Sequence, residues 1–508
     1  MNLSRLLMID LSGPSLTNDE RAFLSERRPG GVCLFGRNVT DRTQVAEYVA
    51  ELRSLAGPEL IVAVDQEGGG VVRILDIPYP PGAMALGAAD DPVLTQAVAA
   101  ATGRGLRALG INVDFAPVAD VNSNPANPVI ADRSFGADPQ HVARHVVAFV
   151  RGLQAEGVAA TVKHFPGHGD VAVDSHLELP MLDKTAEMLE LLELPPFRAA
   201  LSAGVAAVMS AHIVLSKLDA HYPATLSSTV IGGLLRDRLA FDGVVFTDSL
   251  DMKAIADRWD PTAAAIGAVA AGVDMPVHVG PIRQHEEIAL GLEQALAEGR
   301  LELASLEASS TRLTHLAQAF RPAPDVESAW REGDEGLLRE AAQRALVSLG
   351  HLPRLSGNSQ VLLVTAGAVR QGAATQTTVR PGAALATALR ERGVGVEVVE
   401  YDPKDPWTAE TIARAAAETC DLLLFASTSR IALSHGECEL GRALAVAARS
   451  FLHVALWNPY AVAELPGPAL VTFGWRERSA RAAAAALTGQ AVTGLPPLPL
   501  RTFDDLER

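Results

Sequence analysis

Eight short apolar runs, each followed by a segment too long for a hairpin loop, fill about the first 320 residues of this chain. They are Leu6–Leu11, Gly31–Phe35, Leu60–Asp65, Val113–Val121, Val158–His164, Ala207–Ile213, Gly243–Asp248 and Val273–Val277. Several intervening segments are amphipathic at helical spacing: Asp41–Leu55, Thr95–Leu109, Pro139–Glu156 and Ser227–Leu239. A strand with one wet face alternates apolar and polar residues, whereas a strand buried on both faces is apolar throughout. Parallel strands are buried in this way because crossover helices cover them. Eight such β–α units predict a (β/α)8 barrel of the TIM type. A doubly wound sheet is the other architecture that such alternation allows.

The pattern then breaks. Arg321-Pro-Ala-Pro-Asp325 is polar and proline-rich, and Glu332-Gly-Asp-Glu335 is acidic, which reads as a linker. Leu337–Leu349 reads as a helix, and further apolar runs follow at Val361–Val364, Val396–Val399, Leu422–Phe425, His453–Trp457 and Leu470–Phe473. The expected division is a barrel over 1–320, a linker over 321–335 and a smaller αβα sandwich domain over 336–508. No Gly-x-Gly-x-x-Gly follows any of the later strands, so neither a nucleotide nor any other cofactor is expected.

Composition narrows the partners. A net charge of −17 disfavours nucleic acid and anionic membrane surfaces, both of which demand a basic face. Cys33, Cys420 and Cys438 are too few and too irregular for a disulfide framework and fit a reducing compartment. Met1–Leu16 has no long apolar region or small-residue cleavage site, and no run approaches the ~20 apolar residues of a spanning helix. The expectation is a cytoplasmic protein, with its oligomeric state left open.

Chemistry concentrates at Lys163-His-Phe-Pro-Gly-His-Gly-Asp-Val-Ala-Val-Asp-Ser-His176. In an extended segment, residues two apart point the same way, so Asp174 is placed to orient the His176 ring. His164, His168, Asp174 and His176 are also possible metal ligands. Their spacing matches no standard zinc pattern, and Lys163 brings a like charge, so no metal is expected. Other strand ends are polar too: Asp65-Gln-Glu-Gly-Gly69, Asp120 and Asn122 leading to Asp132-Arg-Ser-Phe-Gly136, His212, and Thr247-Asp-Ser249. Each alone serves equally well as a helix cap or a loop salt bridge. Together, on one barrel mouth, they predict a pocket for a small polar ligand. Asp65, Arg133, Lys163 and His164 suit a molecule with several hydroxyls, as a sugar has.

The motifs Asp65-Gln-Glu-Gly-Gly69, Asn127-Pro-Val-Ile-Ala-Asp-Arg-Ser-Phe-Gly136, Lys163-His-Phe-Pro-Gly-His-Gly169 with Asp174-Ser-His176, and Phe246-Thr-Asp-Ser-Leu-Asp-Met252 resemble those of glycoside hydrolase family 3, in its bacterial β-N-acetylglucosaminidase branch. The resemblance runs over nearly the whole chain and implies a barrel followed by an αβα sandwich. It implies that Asp248 is a nucleophile forming a covalent glycosyl-enzyme. It makes His176 the acid/base, held by Asp174, and it makes Asp65, Arg73, Arg133, Lys163 and His164 sugar-binding residues. One position departs: the family's Gly-Gly-Arg reads Gly68-Gly69-Gly70 here. The implied activity is exo-acting, retaining hydrolysis of N-acetylglucosamine from cell-wall fragments of muropeptide type.

The physical chemistry suits these roles. A retaining glycosidase needs a nucleophile on one face of the anomeric carbon and a proton donor on the other. A nearby Lys163 would keep Asp248 ionised, and a His with an unperturbed pKa near ~6.5 needs little tuning to donate at neutral pH. Substrate assistance by the acetamido oxygen usually wants adjacent carboxylates, whereas Thr247 and Ser249 flank Asp248. Three alternatives stand beside hydrolysis by water: a phosphorylase with phosphate as acceptor, a β-glucosidase or β-xylosidase, and a non-catalytic sugar-binding protein. Glu437 and Glu439 are the candidates for a proton donor from the second domain.

Overall fold

The structure, a computed structural model, describes residues 2–506 apart from 173, 176, 177, 371–377 and 431. Eight parallel strands form the first sheet: β1 (Met8–Ile9), β2 (Gly31–Leu34), β3 (Ile61–Val64), β4 (Val113–Asp114), β5 (Ala159–Phe165), β6 (Ala207–Ser210), β7 (Val244–Thr247) and β8 (Val277–His278). β8 pairs with β1, and a parallel bridge from Phe246 to Met275 brings β7 against the segment entering β8. The sheet thus curls into the expected barrel. Every residue of these strands is buried, which is why they read as apolar runs.

Some runs outlast their strands. The fourth, Val113–Val121, is a strand only at Val113–Asp114, and the Ala116–Pro117 peptide beyond it is cis. Pro117 has no N–H to offer a ladder. Val118 rejoins β5 through a bridge to Lys163. Three helices matter below: α1 (Ala83–Ala89), α2 (Pro92–Ala108) and α3 (Pro139–Ala155). α2 and α3 begin in the same way, with an Asp cap (Asp91, Asp138) followed by Pro at the first position.

The segment read as a linker lies along the barrel. Asp325 donates its N–H to Ala108 O (2.9 Å), and Trp330 Nε1 donates to Asp76 O (2.8 Å). Helix α4 then runs from Asp334 to Arg344. The expected helix over Leu337–Leu349 is overturned at its end, since Val347–Leu349 is strand β9. Val347 pairs antiparallel with Val471, and that cross-chain pairing is invisible in local periodicity.

The second sheet adds β10 (Gln360–Ala366), β11 (Gly395–Tyr401), β12 (Leu422–Ser427), β13 (Phe451–Ala455) and β14 (Ala469–Val471), in the order β9-β14-β13-β12-β10-β11. Successive side chains on a strand face opposite sides. Val361 and Leu363 enter one core with Ala483 and Leu487 of α5 (Glu477–Leu487), while Leu362 and Val364 enter another with Ala413 and Leu440. Helices on both faces make this an αβα sandwich.

Candidate active site

The turn after β3 is tied by Gln66, which is fully buried. Its amide N–H donates to Ile74 O (2.7 Å), its Oε1 accepts from Arg73 N (2.9 Å), and its backbone N–H donates to Asp114 Oδ1 (3.0 Å). Gly68 turns the chain at φ 102°, where a Cβ would stand 2.5 Å from Pro81 O. This turn carries Asp65, Glu67 and Arg73 to the C-terminal rim of the barrel.

A charge lattice forms there. Lys163, buried at the end of β5, donates from Nζ to Asp65 Oδ1 (2.8 Å) and lies 2.6 Å from Glu67 Oε1. Arg73 Nη2 donates to the other Asp65 oxygen at 3.1 Å. Arg133 grips Glu67 with two bonds of 2.8 Å each. Burial alone would raise these carboxyl groups, but Lys163 and Arg73 hold Asp65 below its ordinary range. Arg133 and Lys163 do the same to Glu67, more strongly. Burial works against the Lys163 ammonium, yet Asp65 and Glu67 outweigh it and raise its pKa. Opposed charges thus favour one another's ionised forms in Asp65, Glu67 and Lys163.

A second unit stands beside it. Asp120 Oδ2 lies 2.7 Å from His164 Nδ1, and the other ring nitrogen, Nε2, is 3.4 Å from Arg133 Nη2. Asp120 Oδ1 accepts the backbone N–H of His164 (3.1 Å) and of His168 (2.7 Å). His168 is buried, and burial together with the neighbouring His164 lowers its pKa to about 4, so it is neutral. Its Nε2 lies 3.1 Å from Ser175 Oγ. Asn127 ties the arginine-bearing loop to this unit by donating to His168 O (2.7 Å).

Asp248 follows β7. Its backbone N–H donates to Ser210 O (3.1 Å), and its Oδ1 accepts from Ser249 N (2.8 Å). Ser175 links this strand end to the motif loop, because Ser175 O accepts from Ala254 N at 3.3 Å. The Asp174-Ser175 turn is therefore tied to the segment that follows Asp248. His176 lies outside the described residues. Asp65, Arg73, Arg133, Lys163 and His164 meet in one network, with Asp174 and Asp248 on the same rim.

Five contributors were assigned no role from the sequence. Glu67 and Asp120 sit inside or beside quoted motifs, and their acidic character at strand ends was the available signal. The other three come from the sandwich. Arg430 Nε donates to Pro128 O (2.8 Å), and its Nη2 lies 3.8 Å from Asp174 Oδ2. Trp457 and Trp475 pack together and face Gly70, where a Cβ would lie 3.3 Å and 3.4 Å from their rings. Indole rings thus crowd the position where the sequence resemblance implies Arg.

The acidic pair of the second domain is otherwise engaged. Glu437 accepts from Tyr401 Oη (3.0 Å) and from Ser434 N (2.9 Å) in a helix capping box. Glu439 pairs with His435 on the same helix, at 3.2 Å.

Residues 2–316 match the family model described as glycosyl hydrolase family 3 N terminal domain. A β-hexosaminidase from Methylococcus capsulatus is 41% identical over 274 residues, covering 53% of this chain and 81% of that protein. One from Thiobacillus denitrificans is 39% identical over 290 residues, 56% of this chain and 79% of that protein. The solved structure of a glycoside hydrolase family 3 β-N-acetylglucosaminidase from Paenibacillus sp. str. FPU-7 superposes with a TM-score of 0.92 at 33% identity, over 99% of this chain and 98% of that one. A barrel rim lined by fixed charges, closed by a sandwich and matched over its whole length, leads to one conclusion: this chain belongs to glycoside hydrolase family 3, and it is a glycoside hydrolase.

Proposed function

We propose that the enzyme is an exo-acting β-N-acetylglucosaminidase that removes terminal N-acetylglucosamine from cell-wall fragments of muropeptide type, with retention. The observation that carries this reading is the link from Ser175 to both His168 and Ala254, which ties the Asp174-Ser175 turn to the His164–His168 unit and to the segment that follows Asp248. The whole-length likeness to the Paenibacillus enzyme supports the sugar.

In this reading the Asp65–Lys163–Arg73 cluster and His164 Nε2 take the hydroxyls of the terminal sugar. Fixed ions need no reorganisation as charge develops at the ring. Asp248 attacks the anomeric carbon, and the bond to the leaving oxygen breaks as His176 delivers its proton. A covalent ester to Asp248 results. His176, now neutral, takes a proton from water as that water attacks the ester from the vacated side, releasing the sugar with its original configuration. Asp174 orients the imidazole and stabilises its charged form.

We assign water as the acceptor, no metal to the reaction, and the cytoplasm as the compartment. Cys33, Cys420 and Cys438 are free and buried, and among the described residues no helix is long and apolar enough to cross a membrane. One paired assay tests the function. An aryl N-acetylglucosaminide and the matching glucoside are compared in phosphate and in a phosphate-free buffer, with products identified. Free N-acetylglucosamine in both buffers is expected. Sugar 1-phosphate formed only in phosphate would make the enzyme a phosphorylase, and preference for the glucoside would make it a β-glucosidase.

A further inference from the structure

Away from the rim, α1 ends at Asp90, which caps it in the left-handed region at φ 45°. Across from it, α3 presents His141 and His145, one turn apart on the same face. Asp90 Oδ1 lies 3.4 Å from His141 Nδ1 and 4.0 Å from His145 Nε2. One donor atom from each residue falls within 4.8 Å of the other two. The catalytic reading uses none of them.

The His145 ring is held from behind. Thr95 Oγ lies 2.8 Å from His145 Nδ1 and 3.2 Å from Asp91 O, which leaves the other ring nitrogen, Nε2, toward Asp90. His145 is wholly buried, and its Nε2 has no hydrogen-bond partner. A cation between this nitrogen and Asp90 Oδ1, 4.0 Å away, would give both a partner.

A cation already touches two of the three groups. Arg144 Nη2 lies 3.4 Å from Asp90 Oδ1 and 3.2 Å from His141 Nδ1, with about half its side chain exposed. Its guanidinium satisfies Asp90 and His141 from the solvent side but does not reach the buried Nε2.

The geometry points to a binding site for a late first-row divalent cation, Zn2+ above all, formed by Asp90, His141 and His145. Two imidazoles and a carboxylate are a donor set for such ions, and calcium or magnesium would want oxygen instead. A tetrahedral ion with bonds of ~2.1 Å sets its donors ~3.4 Å apart, which side-chain rotation reaches from the present spacing. Thr95 acts as the outer partner that fixes the His145 ring. Arg144 swings into solvent as the ion enters, and water fills the fourth position. The ion clamps α1 to α3 beneath Phe135, whose ring stacks on His145 (centroids 5.4 Å apart, planes at 17°).

The test uses the full chain stripped with chelator and titrated with Zn2+ or Co2+ alone. One ion per chain is expected, with a higher Tm and, for Co2+, the visible absorption of a four-coordinate site. Asp90→Asn and His141→Gln, both at accessible positions, should each weaken binding at least tenfold and lose the Tm gain, with unchanged circular dichroism. Arg144→Ala should tighten it severalfold, because the competing cation is gone. No saturable binding by the wild type would overturn the assignment. So would an ion held equally well by Asp90→Asn and His141→Gln, or an Arg144→Ala variant that binds no more tightly than the wild type.

Discussion

Arg430 of the sandwich lies 3.8 Å from Asp174 of the barrel, with its Nε bonded to Pro128 O at 2.8 Å. The second domain thereby touches the acid that is proposed to orient His176. Arg430→Met should lower kcat about tenfold, equivalent to ~1.4 kcal/mol, with KM within about twofold. The loss should be greater for an alkyl than for a nitrophenyl leaving group, because only the former needs a well-oriented acid. Steady-state kinetics on the two substrates checks this, and equal losses would make Arg430 a purely structural tie.

Asp248→Asn should lower kcat by several orders of magnitude with the fold unchanged, since nucleophilic attack is removed. The shorter Asp248→Gly variant with azide should yield the α-glycosyl azide, identified by NMR. Residual activity above a few per cent in Asp248→Asn, once deamidation is excluded by mass spectrometry, would remove Asp248 from the nucleophile's role.

His176→Ala should form the glycosyl-enzyme almost normally from a nitrophenyl substrate and then stall, because the same ring serves the second step. A burst of nitrophenolate followed by slow turnover is expected, with azide restoring the rate. Natural sugar leaving groups should fail at the first step. Similar losses for both substrates without azide rescue would leave the ring a binding role only.

Asp114 yields a stability prediction with a definite sign. Burial raises its carboxyl from 3.8 to about 8, against the opposing bond from Gln66 N. It is protonated in the native state at neutral pH, whereas the unfolded chain would ionise it. The folded pKa is the higher one, so its contribution is full below about pH 3.8 and is lost as pH rises toward about 8. Asp114→Asn has no such proton to lose. Its Tm advantage over the wild type should grow from pH 5 to pH 8, as read by calorimetry across that range. A Tm difference independent of pH would refute the assignment.

The barrel was legible because burial on both faces writes itself as apolar runs, and strand ends such as Asp65 and Lys163 were legible as polar interruptions at their C-terminal edge. Local pattern also misled. Leu337–Leu349 keeps helical periodicity into Val347–Leu349, which a distant strand recruits. Arg430 was beyond reach for a different reason. It meets Pro128 across 302 positions of sequence, and an arginine in a loop carries no sign of what it will touch. Glu67 and Asp120 were visible as acids, but their task of fixing Arg133 and His164 exists only in three dimensions.

The indole pair over Gly70 carries a consequence for engineering. A bare glycine on the barrel and two tryptophans on the sandwich are halves of one shape, separated by about four hundred residues of chain. A barrel cut away from its partner would have a notch at its mouth, and one borrowed from a relative with Arg at this position would drive a charged side chain into aromatic rings. Chimeras in this family should therefore be built by exchanging position 70 together with positions 457 and 475, as a matched set.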